Sequence, residues 1–506
     1  MESGADETAT EPAAYRALIE RSKQIGNVEM ASMVLAWDQR VMMPEGGTPA
    51  RAQQLSTLSS LGHELLVDDE VGTWIEALAD EELTGEQTAV VREMRREYER
   101  AADVPSDLVE RLSAHQAETQ QVWQAAKAAN DFAQFAPALE ELIDLHRERA
   151  HAIDSRANPY RVLFEEREPY LPLETVERIF DELRTHLVPL IEEISEHGRS
   201  LPQPFDGRQY DEETQLALSE AALDLLGYPR EHGRLDTAPH PFMSGNQYDA
   251  RVTTRVNESN LLDALTATIH EFGHATYQLG LRTDEYGTPL GTPRSSGVHE
   301  SQSRFWENHV GRTRAFWECF LPTVKTHVPQ LEDVTVEEAY AAVNRISPEN
   351  LIRVEADELT YHLHIILRCE IDRAFVEGEL EVPEIPARWN ELMDAYLGIV
   401  PDTDAEGCLQ DTHWSYSFAS FQNYTVGSVL AAQLDASMHE DLDDDVDGLI
   451  REGEFEPLRE WMVENVHRHG QRYTTPELIE IATGEPLTAS YFLDYIDEKY
   501  TALYDL

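Results

Sequence analysis

Residues 260–280, NLLDALTATIHEFGHATYQLG, predict a single helix with one apolar face. Asn260 is a suitable N-terminal cap, because its side-chain oxygen can accept a hydrogen bond from a free backbone N–H, and Gly280 is a suitable end. The apolar side chains recur every three or four residues, as in an amphipathic helix: Leu261, Leu265, Ile269 and Phe272. The sequence predicts a mainly α fold, because similar spacing recurs in four further stretches: residues 18–41, 108–153, 176–194 and 359–376.

Strand-like alternation is short in this sequence. Apolar and polar residues alternate over residues 250–256, which predicts a small β element beside the helices. Four stretches bearing Pro and Gly predict loops within one body rather than domain linkers: residues 43–48, 201–207, 287–297 and 399–407. We therefore expect one domain that spans residues 1–506.

Within the helix, His270-Glu271-Phe272-Gly273-His274 matches the pattern H-E-x-x-H. Residues four apart on a helix are neighbours, so both imidazoles can reach one tetrahedral metal ion. Glu271 lies beside them and can act as the general base toward the metal's water. The alternative is two solvated histidines with an accidental glutamate between them. The motif in its helix favours a metal-dependent hydrolase.

A catalytic zinc with two histidine ligands needs a third protein ligand and an open position for water. Among the downstream acids Glu285, Glu300 and Glu307, we choose Glu300. Hydrogen-bonding residues surround it, and Arg304, four residues on, can orient its carboxylate. Glu307 is interpreted as a surface acid on the same predicted helix, residues 298–310. The predicted donors suit Zn²⁺ without excluding Co²⁺ or Mn²⁺: His270, His274 and Glu300.

The composition is strongly acidic. The chain has 96 Asp and Glu against 40 Lys and Arg, which gives a formal net charge of −56. A surface of this kind repels nucleic acid and anionic lipid, and at low ionic strength it repels itself. We interpret it as adaptation to a salt-rich cytoplasm, the alternative being an ordinary acidic enzyme. Arginine supplies nearly all of the positive charge, since the lysines are few: Lys23, Lys127, Lys325 and Lys499.

The sequence gives no indication of secretion or of a membrane span. Residues 1–10 lack the basic start and apolar core of a signal peptide, and no apolar run reaches about 18 residues. Three widely spaced cysteines predict reduced thiols: Cys319, Cys369 and Cys408. We expect a soluble, cytoplasmic protein that binds neither nucleic acid nor membrane.

Short motifs along the whole chain carry a family resemblance. With the H-E-x-x-H segment, they make the sequence from near residue 35 to the C-terminus resemble the carboxypeptidase Taq family of thermostable metallocarboxypeptidases. In chain order the other motifs are Leu35-Ala36-Trp37-Asp38, Met43-Pro44-Glu45-Gly46-Gly47, His240-Pro241-Phe242, Asp249-Ala250-Arg251-Val252-Thr253, His299-Glu300-Ser301-Gln302, Ile352-Arg353-Val354-Glu355-Ala356-Asp357 and Gly407-Cys408-Leu409-Gln410-Asp411-Thr412-His413-Trp414.

The resemblance implies a single large helical zinc-peptidase body with a long central groove, similar to neurolysin and angiotensin-converting enzyme. It also implies a homodimer and the removal of C-terminal amino acids, one at a time, from peptides with a free C-terminus. The sequence departs from the family in its surface charge and its scarcity of lysine. These two features are typical of a haloarchaeal-type acidic proteome.

Two arginines are candidates for binding the terminal carboxylate of a substrate, because a guanidinium binds a carboxylate through two parallel hydrogen bonds. Arg353 is the first candidate and Arg251 the second. For each, the alternative is a structural ion pair, between Arg353 and Asp357 or between Arg251 and Asp249.

The carbonyl oxygen of the scissile bond becomes negatively charged during hydrolysis, so hydrogen-bond donors should face it. The family resemblance favours His413 and Tyr424 for this role, with Tyr416 as the rival of Tyr424.

Three alternatives remain open at this point. An endo-acting oligopeptidase of the thimet type would share the zinc motif but ignore the terminal carboxylate. A catalytically silent peptide-binding or scaffold protein would keep only the fold. Separately, residues 443–454 match the spacing of an EF-hand calcium loop, although a solvated acidic loop is the favoured interpretation.

Overall fold

The computed structural model describes residues 11–442 and 445–506. Within these residues the chain forms twenty α-helices and one three-stranded sheet, so the prediction of a mainly α fold with a small β element is confirmed. None of the described helices is both long enough and apolar enough to cross a bilayer. Residues 1–10, which bear on the signal-peptide prediction, lie outside the described residues.

The helices of the first half of the chain lead to the H-E-x-x-H segment, which lies in α10. In chain order they are α1 Ala13–Val41, α2 Thr48–Leu66, α3 Asp69–Ala77, α4 Gly85–Ala102, α5 Ser106–Ala129, α6 Phe132–Ile153, α7 Pro159–Arg167, α8 Leu173–His197, α9 Glu212–Leu226 and α10 Leu261–Gly280.

The second half of the described chain contains ten helices. They are α11 Ser296–Arg304, α12 Arg314–His327, α13 Val336–Val343, α14 Thr360–Glu377, α15 Ile385–Leu397, α16 Gln422–Asp441, α17 Val446–Glu452, α18 Glu456–Asn465, α19 Thr475–Thr483 and α20 Ser490–Tyr504. Of these ten helices, α11 and α18 pack against α10. A π-helical turn, Phe305–Gly311, continues α11 without a break.

The small sheet lies against α10. Its strands are β1 Leu235–Thr237, β2 Met243–Gly245 and β3 Ala250–Thr254, with β3 in the centre, parallel to β1 and antiparallel to β2. Val252 pairs with both edge strands and is fully buried. The sheet therefore forms one wall beside the helix that carries the H-E-x-x-H segment.

The apolar core has two parts. The larger part runs from Val104 to Tyr504 and includes the buried face of α10. The smaller part joins α1, α3 and α4 to Leu290. A buried ion pair of Arg294 and Glu93, with Nη2 and Oε2 2.9 Å apart, connects the N-terminal helices to the main body.

Two glycines bring α11 close to its neighbours. A Cβ at Gly273 on α10 would lie 2.5 Å from the carbonyl oxygen of Gln302. A Cβ at Gly427 on α16 would lie 2.4 Å from Cγ of Glu300. Because real side chains do not tolerate such distances, both positions require glycine, and α11 fits closely between α10 and α16. This packing places Glu300 opposite the histidines of α10.

Candidate metal centre

The structure brings His270, His274 and Glu300 together. As predicted, Asn260 caps α10 by accepting a hydrogen bond from Leu262 N at 3.1 Å, and the helix presents both imidazoles on one side. Oε2 of Glu300 lies 3.8 Å from Nε2 of His270 and 3.5 Å from Nε2 of His274. Two ligands of a tetrahedral zinc ion are about 3.3 Å apart, given metal–ligand bonds near 2 Å. The spacing of the three groups therefore fits a divalent metal.

The other nitrogen of each imidazole is already engaged. His270 Nδ1 donates to Glu307 Oε2 at 2.9 Å. His274 Nδ1 lies 2.7 Å from Nδ1 of His299 and 3.1 Å from the carbonyl oxygen of the same residue. Such contacts fix the ring orientation and leave each Nε2 available as a ligand. The donor set therefore fits a metal in chemistry as well as in spacing.

Glu300 is held as an anion. Arg304 Nε donates to its Oε1 at 2.8 Å, as the spacing of four residues predicts. Burial alone would raise the pKa of Glu300, but the positive charges of Arg304 and His270 outweigh it and hold the pKa well below its usual range. A carboxylate that stays ionised is ready to coordinate a cation.

The interpretation of Glu307 as a surface acid is wrong. Its side chain is buried, and besides His270 it contacts Arg304 Nη1 at 3.0 Å and Arg312 Nη2 at 2.8 Å. Burial opposes ionisation, but the charges of Arg304 and Arg312 hold the pKa of Glu307 well below its usual range. Its position seven residues after Glu300, two helical turns on, is the sequence signal that could have revealed it.

Glu271 faces the groove from a buried position. Its Oε2 has no hydrogen-bond partner among the described residues, and burial raises the pKa of its carboxyl group. The side chain of Glu271 also borders open space beside His270, His274 and Glu300, here called the metal group. Its carboxyl group can therefore accept a proton from a molecule bound there.

Two adjoining cavities meet at this group. The first, about 590 Å³, is bounded by α1 and β2, and the second, about 640 Å³, extends toward α5 and the start of α14. Both cavities are lined by the same five residues: Pro241, His270, Glu271, Glu300 and Tyr424. Together they form a groove with the metal group in its floor.

Arg353 lines the second cavity, but its ion-pair partner is not Asp357. Its Nε and Nη2 donate to Asp411 Oδ1 at 3.1 and 2.7 Å. Arg368 Nε donates to the other oxygen of Asp411 at 2.6 Å. Asp357 instead accepts the backbone N–H groups of Leu359 and Thr360 at the start of α14, and this capping role explains why it is unavailable to Arg353.

Arg251 lies apart from the metal group. It forms an ion pair with Asp249, with Nη2 and Oδ2 2.6 Å apart. This is the structural role that the sequence predicts as the alternative to binding the substrate's carboxylate. The guanidinium of Arg251 also stacks on Trp37, 4.4 Å from the ring centroid. Arg251 lines a small recess that adjoins the first cavity, and it lines neither of the two cavities that contain the metal group.

His413 and Tyr424 lie together beside the metal group. His413 Nε2 and the Tyr424 hydroxyl are 3.2 Å apart, and Tyr424 lines both cavities. Burial lowers the pKa of His413 to about 4 and raises the pKa of Tyr424 well above its usual range. Both side chains are therefore neutral near pH 7 and can donate hydrogen bonds. The ring of Tyr416 packs at a tilt against His413, but Tyr416 lines neither cavity.

The EF-hand pattern falls partly on Asp443, which lies outside the described residues. From Val446 onward the pattern is occupied by helix α17 rather than by a loop. Asp445 and Asp447 are exposed there, and the described part of the chain holds no group of metal-ligating side chains other than the one around His270.

A helical body with two histidines, a glutamate and a buried free carboxyl in one groove defines the class of H-E-x-x-H metallopeptidases. The model of one such family, described as "Carboxypeptidase Taq (M32) metallopeptidase", matches residues 17–500. The chain belongs to this family.

Related proteins and solved structures are similar to this chain over nearly its whole length. "Carboxypeptidase 1" of Bacillus subtilis is 36% identical and covers 95% of this chain and 97% of its own. "Thermostable carboxypeptidase 1" of Thermus thermophilus is 36% identical, and the match covers 98% of this chain and 100% of that protein. The crystal structure of the M32 carboxypeptidase from Deinococcus radiodurans R1 is 38% identical, with a TM-score of 0.93 and coverage of 98% and 100%. The protein is thus a metallocarboxypeptidase, and the endo-acting alternative is not favoured.

Proposed function

We propose that the metal of this carboxypeptidase is zinc and that His270, His274 and Glu300 hold it. The proposal is carried by the convergence of two imidazole nitrogens and one carboxylate oxygen at the groove floor. This donor set suits zinc, with Co²⁺ and Mn²⁺ as the alternatives. A divalent ion bound there would supply a Lewis acid that lowers the pKa of water and polarises the scissile carbonyl.

Glu271 is the proposed general base. Its carboxyl lies beside the metal group, is buried and keeps Oε2 free of protein hydrogen bonds. From this position it accepts a proton from the attacking water and returns that proton to the departing amine. Intact Glu271 also speaks against a catalytically silent scaffold.

Arg353 is the residue proposed to bind the substrate's terminal carboxylate. Asp411 orients its guanidinium through Nε and Nη2, while Nη1 makes no hydrogen bond within the described residues. Arg368 shares the same carboxylate, so two positive charges face one negative charge, and the excess favours a bound anion. Arg251 is the second candidate, but it lines neither of the two cavities that contain the metal group, and this favours Arg353.

His413 and Tyr424 are the proposed donors to the carbonyl oxygen that becomes negative. Both are neutral, lie within hydrogen-bond distance of each other and line the second cavity. A pre-positioned donor of this kind stabilises the transition state because no reorganisation is needed when the charge develops.

Substitution of the proposed base tests the mechanism. Glu271→Gln should bind zinc with unchanged stoichiometry and lose at least about 10³-fold in kcat. Metal analysis and the rate of amino-acid release from a peptide measure the two quantities. Full activity in Glu271→Gln would overturn the proposed role.

A pair of peptides tests the role of Arg353. A substrate with a free C-terminus should be cleaved much faster than its amidated counterpart, and Arg353→Met should remove most of that difference. Equal rates on both peptides in the unmodified enzyme would instead support an endo-acting oligopeptidase.

The remaining expectations concern the whole protein. We propose one catalytic domain over residues 1–506, because the Arg294–Glu93 pair joins the N-terminal helices to the main body. The family resemblance supports a homodimer, and cysteines without disulfides support a reducing cytoplasm. The net charge of −56 supports adaptation to high salt, as in haloarchaeal-type proteomes, and peptides rather than nucleic acid or membrane as partners.

A further inference from the structure

Residues 414–423, here called the connecting segment, join His413 to Tyr424 and contain a residue in an unfavourable conformation. Ala419 has a left-handed backbone, φ 53°, although its side chain carries a Cβ. Residues other than glycine rarely adopt this conformation, and they keep it only where the surrounding structure holds them. Ala419 is fully buried. Contacts from neighbouring helices must therefore hold the connecting segment in place.

A buried carboxyl group of α14 contacts Ala419. Asp372 is inaccessible to solvent, and its Oδ2 accepts a hydrogen bond from the backbone N–H of Ala419 at 3.0 Å. Its Oδ1 accepts a hydrogen bond from the hydroxyl of Tyr160, on α7, at 2.6 Å. Burial raises the pKa of Asp372 to about 7, because removal from water disfavours the charged form. Since burying a carboxyl group costs free energy, this position indicates a role beyond packing.

Tyr160 connects Asp372 to the first residue of α16. The Tyr160 hydroxyl accepts a hydrogen bond from Nε2 of Gln422, the residue with which α16 begins. Tyr160 and Gln422 are each only 2% exposed, so water does not compete for this contact. Asp372 thus holds the connecting segment directly at Ala419 and, through Tyr160, at Gln422.

Tyr424 lies two residues after Gln422, in the first turn of α16. Its hydroxyl lies 3.2 Å from Nε2 of His413, and the residue lines both cavities that contain the metal group. A hydrogen-bond donor stabilises a transition state best if its position is fixed before the charge develops. A displacement of about 1 Å can lower the rate about 10²-fold. The contacts that hold Gln422 therefore affect how well Tyr424 can act.

We propose that Tyr160, anchored by Asp372, is a positioning residue that acts through Tyr424. It fixes the first turn of α16 and, with it, the hydroxyl of Tyr424. This inference rests on the proposed function, in which Tyr424 donates a hydrogen bond to the carbonyl oxygen that becomes negative. Tyr160 itself lines neither of the two cavities that contain the metal group, so its effect on the reaction is indirect.

Removal of single hydrogen bonds tests the role of Tyr160. Tyr160→Phe keeps the ring and should lower kcat about tenfold, with KM changed by less than about twofold, because the interaction acts in the transition state. Gln422→Met removes the amide, keeps the length of the side chain and should have the same effect. Tyr396→Phe is the matched control and should leave kcat unchanged, because that hydroxyl contacts Glu370 of α14 rather than α16. The rate of amino-acid release from a peptide measures all three.

A double-mutant cycle separates positioning from a general effect on the fold. In the Tyr424→Phe background, Tyr160→Phe should lower kcat by less than about twofold, since the hydroxyl that it positions is already absent. The zinc affinity of Tyr160→Phe, measured by competition with a chelator, should equal that of the unmodified enzyme, because the proposed ligands lie on α10 and α11.

Two results would overturn the inference. Full kcat in either Tyr160→Phe or Gln422→Met would show that this chain of hydrogen bonds does not position Tyr424. An equal loss from Tyr160→Phe with and without the Tyr424 hydroxyl would show that Tyr160 affects the rate by another route.

The rate of Tyr424→Phe alone distinguishes this inference from the proposed function. That variant should lose about 10²-fold in kcat, the usual effect of removing such a donor. If it keeps the full rate, the proposed role of Tyr424 fails and the positioning role fails with it. If it is slow while Tyr160→Phe is unaffected, the role of Tyr424 stands and only the role of Tyr160 fails.

Discussion

Glu307 is not one of the proposed metal ligands, but it contacts His270, which is one of them. Nε2 of His270 faces Glu300, while Nδ1 of the same ring donates to Glu307, which Arg304 and Arg312 hold in place. The carboxylate fixes the ring in the orientation and tautomer that a metal requires.

Substitution of Glu307 should therefore weaken metal binding. Glu307→Gln is expected to raise the Kd for zinc by about 10- to 100-fold, the usual effect of losing such a partner. Competition with a chromogenic chelator measures this Kd directly. Glu337→Gln is the matched control, because Glu337 pairs with Arg314 on the surface. An unchanged Kd in Glu307→Gln would mean that the contact does not orient His270.

Lys499 illustrates a buried charge with a structural role. Its Nζ lies 2.6 Å from Glu358 Oε2, and both side chains are nearly inaccessible. Burial alone would raise the pKa of Glu358, but Lys499 and Arg312 hold it at about 2. Lys499→Met would leave this carboxylate buried without its main partner.

The variant Lys499→Met should be less stable by about 3 to 5 kcal/mol at pH 7. Because the pKa of Glu358 is depressed in the folded state, the stability due to the pair is complete above its ordinary pKa of 4.5 and is lost as the pH falls toward 2. The deficit should therefore shrink between pH 5 and about pH 3. Urea unfolding at both pH values measures it, and a constant deficit would contradict the electrostatic explanation.

The residues of the site differ in how far the sequence alone predicts them. His270, His274 and Glu271 follow from the spacing within one helix, which is local information. The sequence does not indicate the burial of Glu307, because that burial depends on the packing of a π-helical turn against α10. The pairing of Arg353 with Asp411 joins residues 58 positions apart, and no local pattern indicates such a contact.

At the scale of elements, the helices of the core were predictable because each buries a periodic apolar face. Residues 108–153 look like one long helical stretch, yet the structure has α5 and α6 there. Asn130 separates them with a left-handed backbone, φ 52°. The parallel pairing of β1 with β3 was not predictable, since a strand of three residues has no clear alternation.

The close contact of α11 with α16 gives a prediction at this scale. In Gly427→Ala the new Cβ would meet Cβ and Cγ of Glu300, so one of the two helices must move. Such overpacking costs about 1 to 3 kcal/mol, and here it also displaces Glu300, a proposed metal ligand. We expect a lower melting temperature together with weaker zinc binding.

Thermal unfolding and zinc titration, both on purified protein, measure these two effects. Gly85→Ala is the matched control, because a Cβ at the start of α4 meets no atom within 4 Å and alanine favours a helix. Normal zinc affinity in Gly427→Ala would show that Glu300 does not depend on this packing.

For the whole molecule, charge is the dominant physical feature. Acidic residues outnumber basic residues by 56, and many of the acidic side chains are exposed to solvent. Glu192, Glu193 and Glu196 of α8 are an example, since all three are exposed on one helix. Like charges at such spacing repel each other unless salt screens them.

Stability should therefore depend strongly on salt. The screening length falls from about 10 Å at 0.1 M to about 3 Å at 1 M salt, so the melting temperature should rise by at least about 5 °C when KCl is raised from 0.1 to 2 M. Replacing Glu192, Glu193 and Glu196 by Gln should make this rise smaller, because fewer charges then need screening. A melting temperature that does not respond to KCl would identify an ordinary acidic enzyme. An equal rise in the triple variant would assign the effect to solvent exclusion by salt rather than to repulsion between these carboxylates.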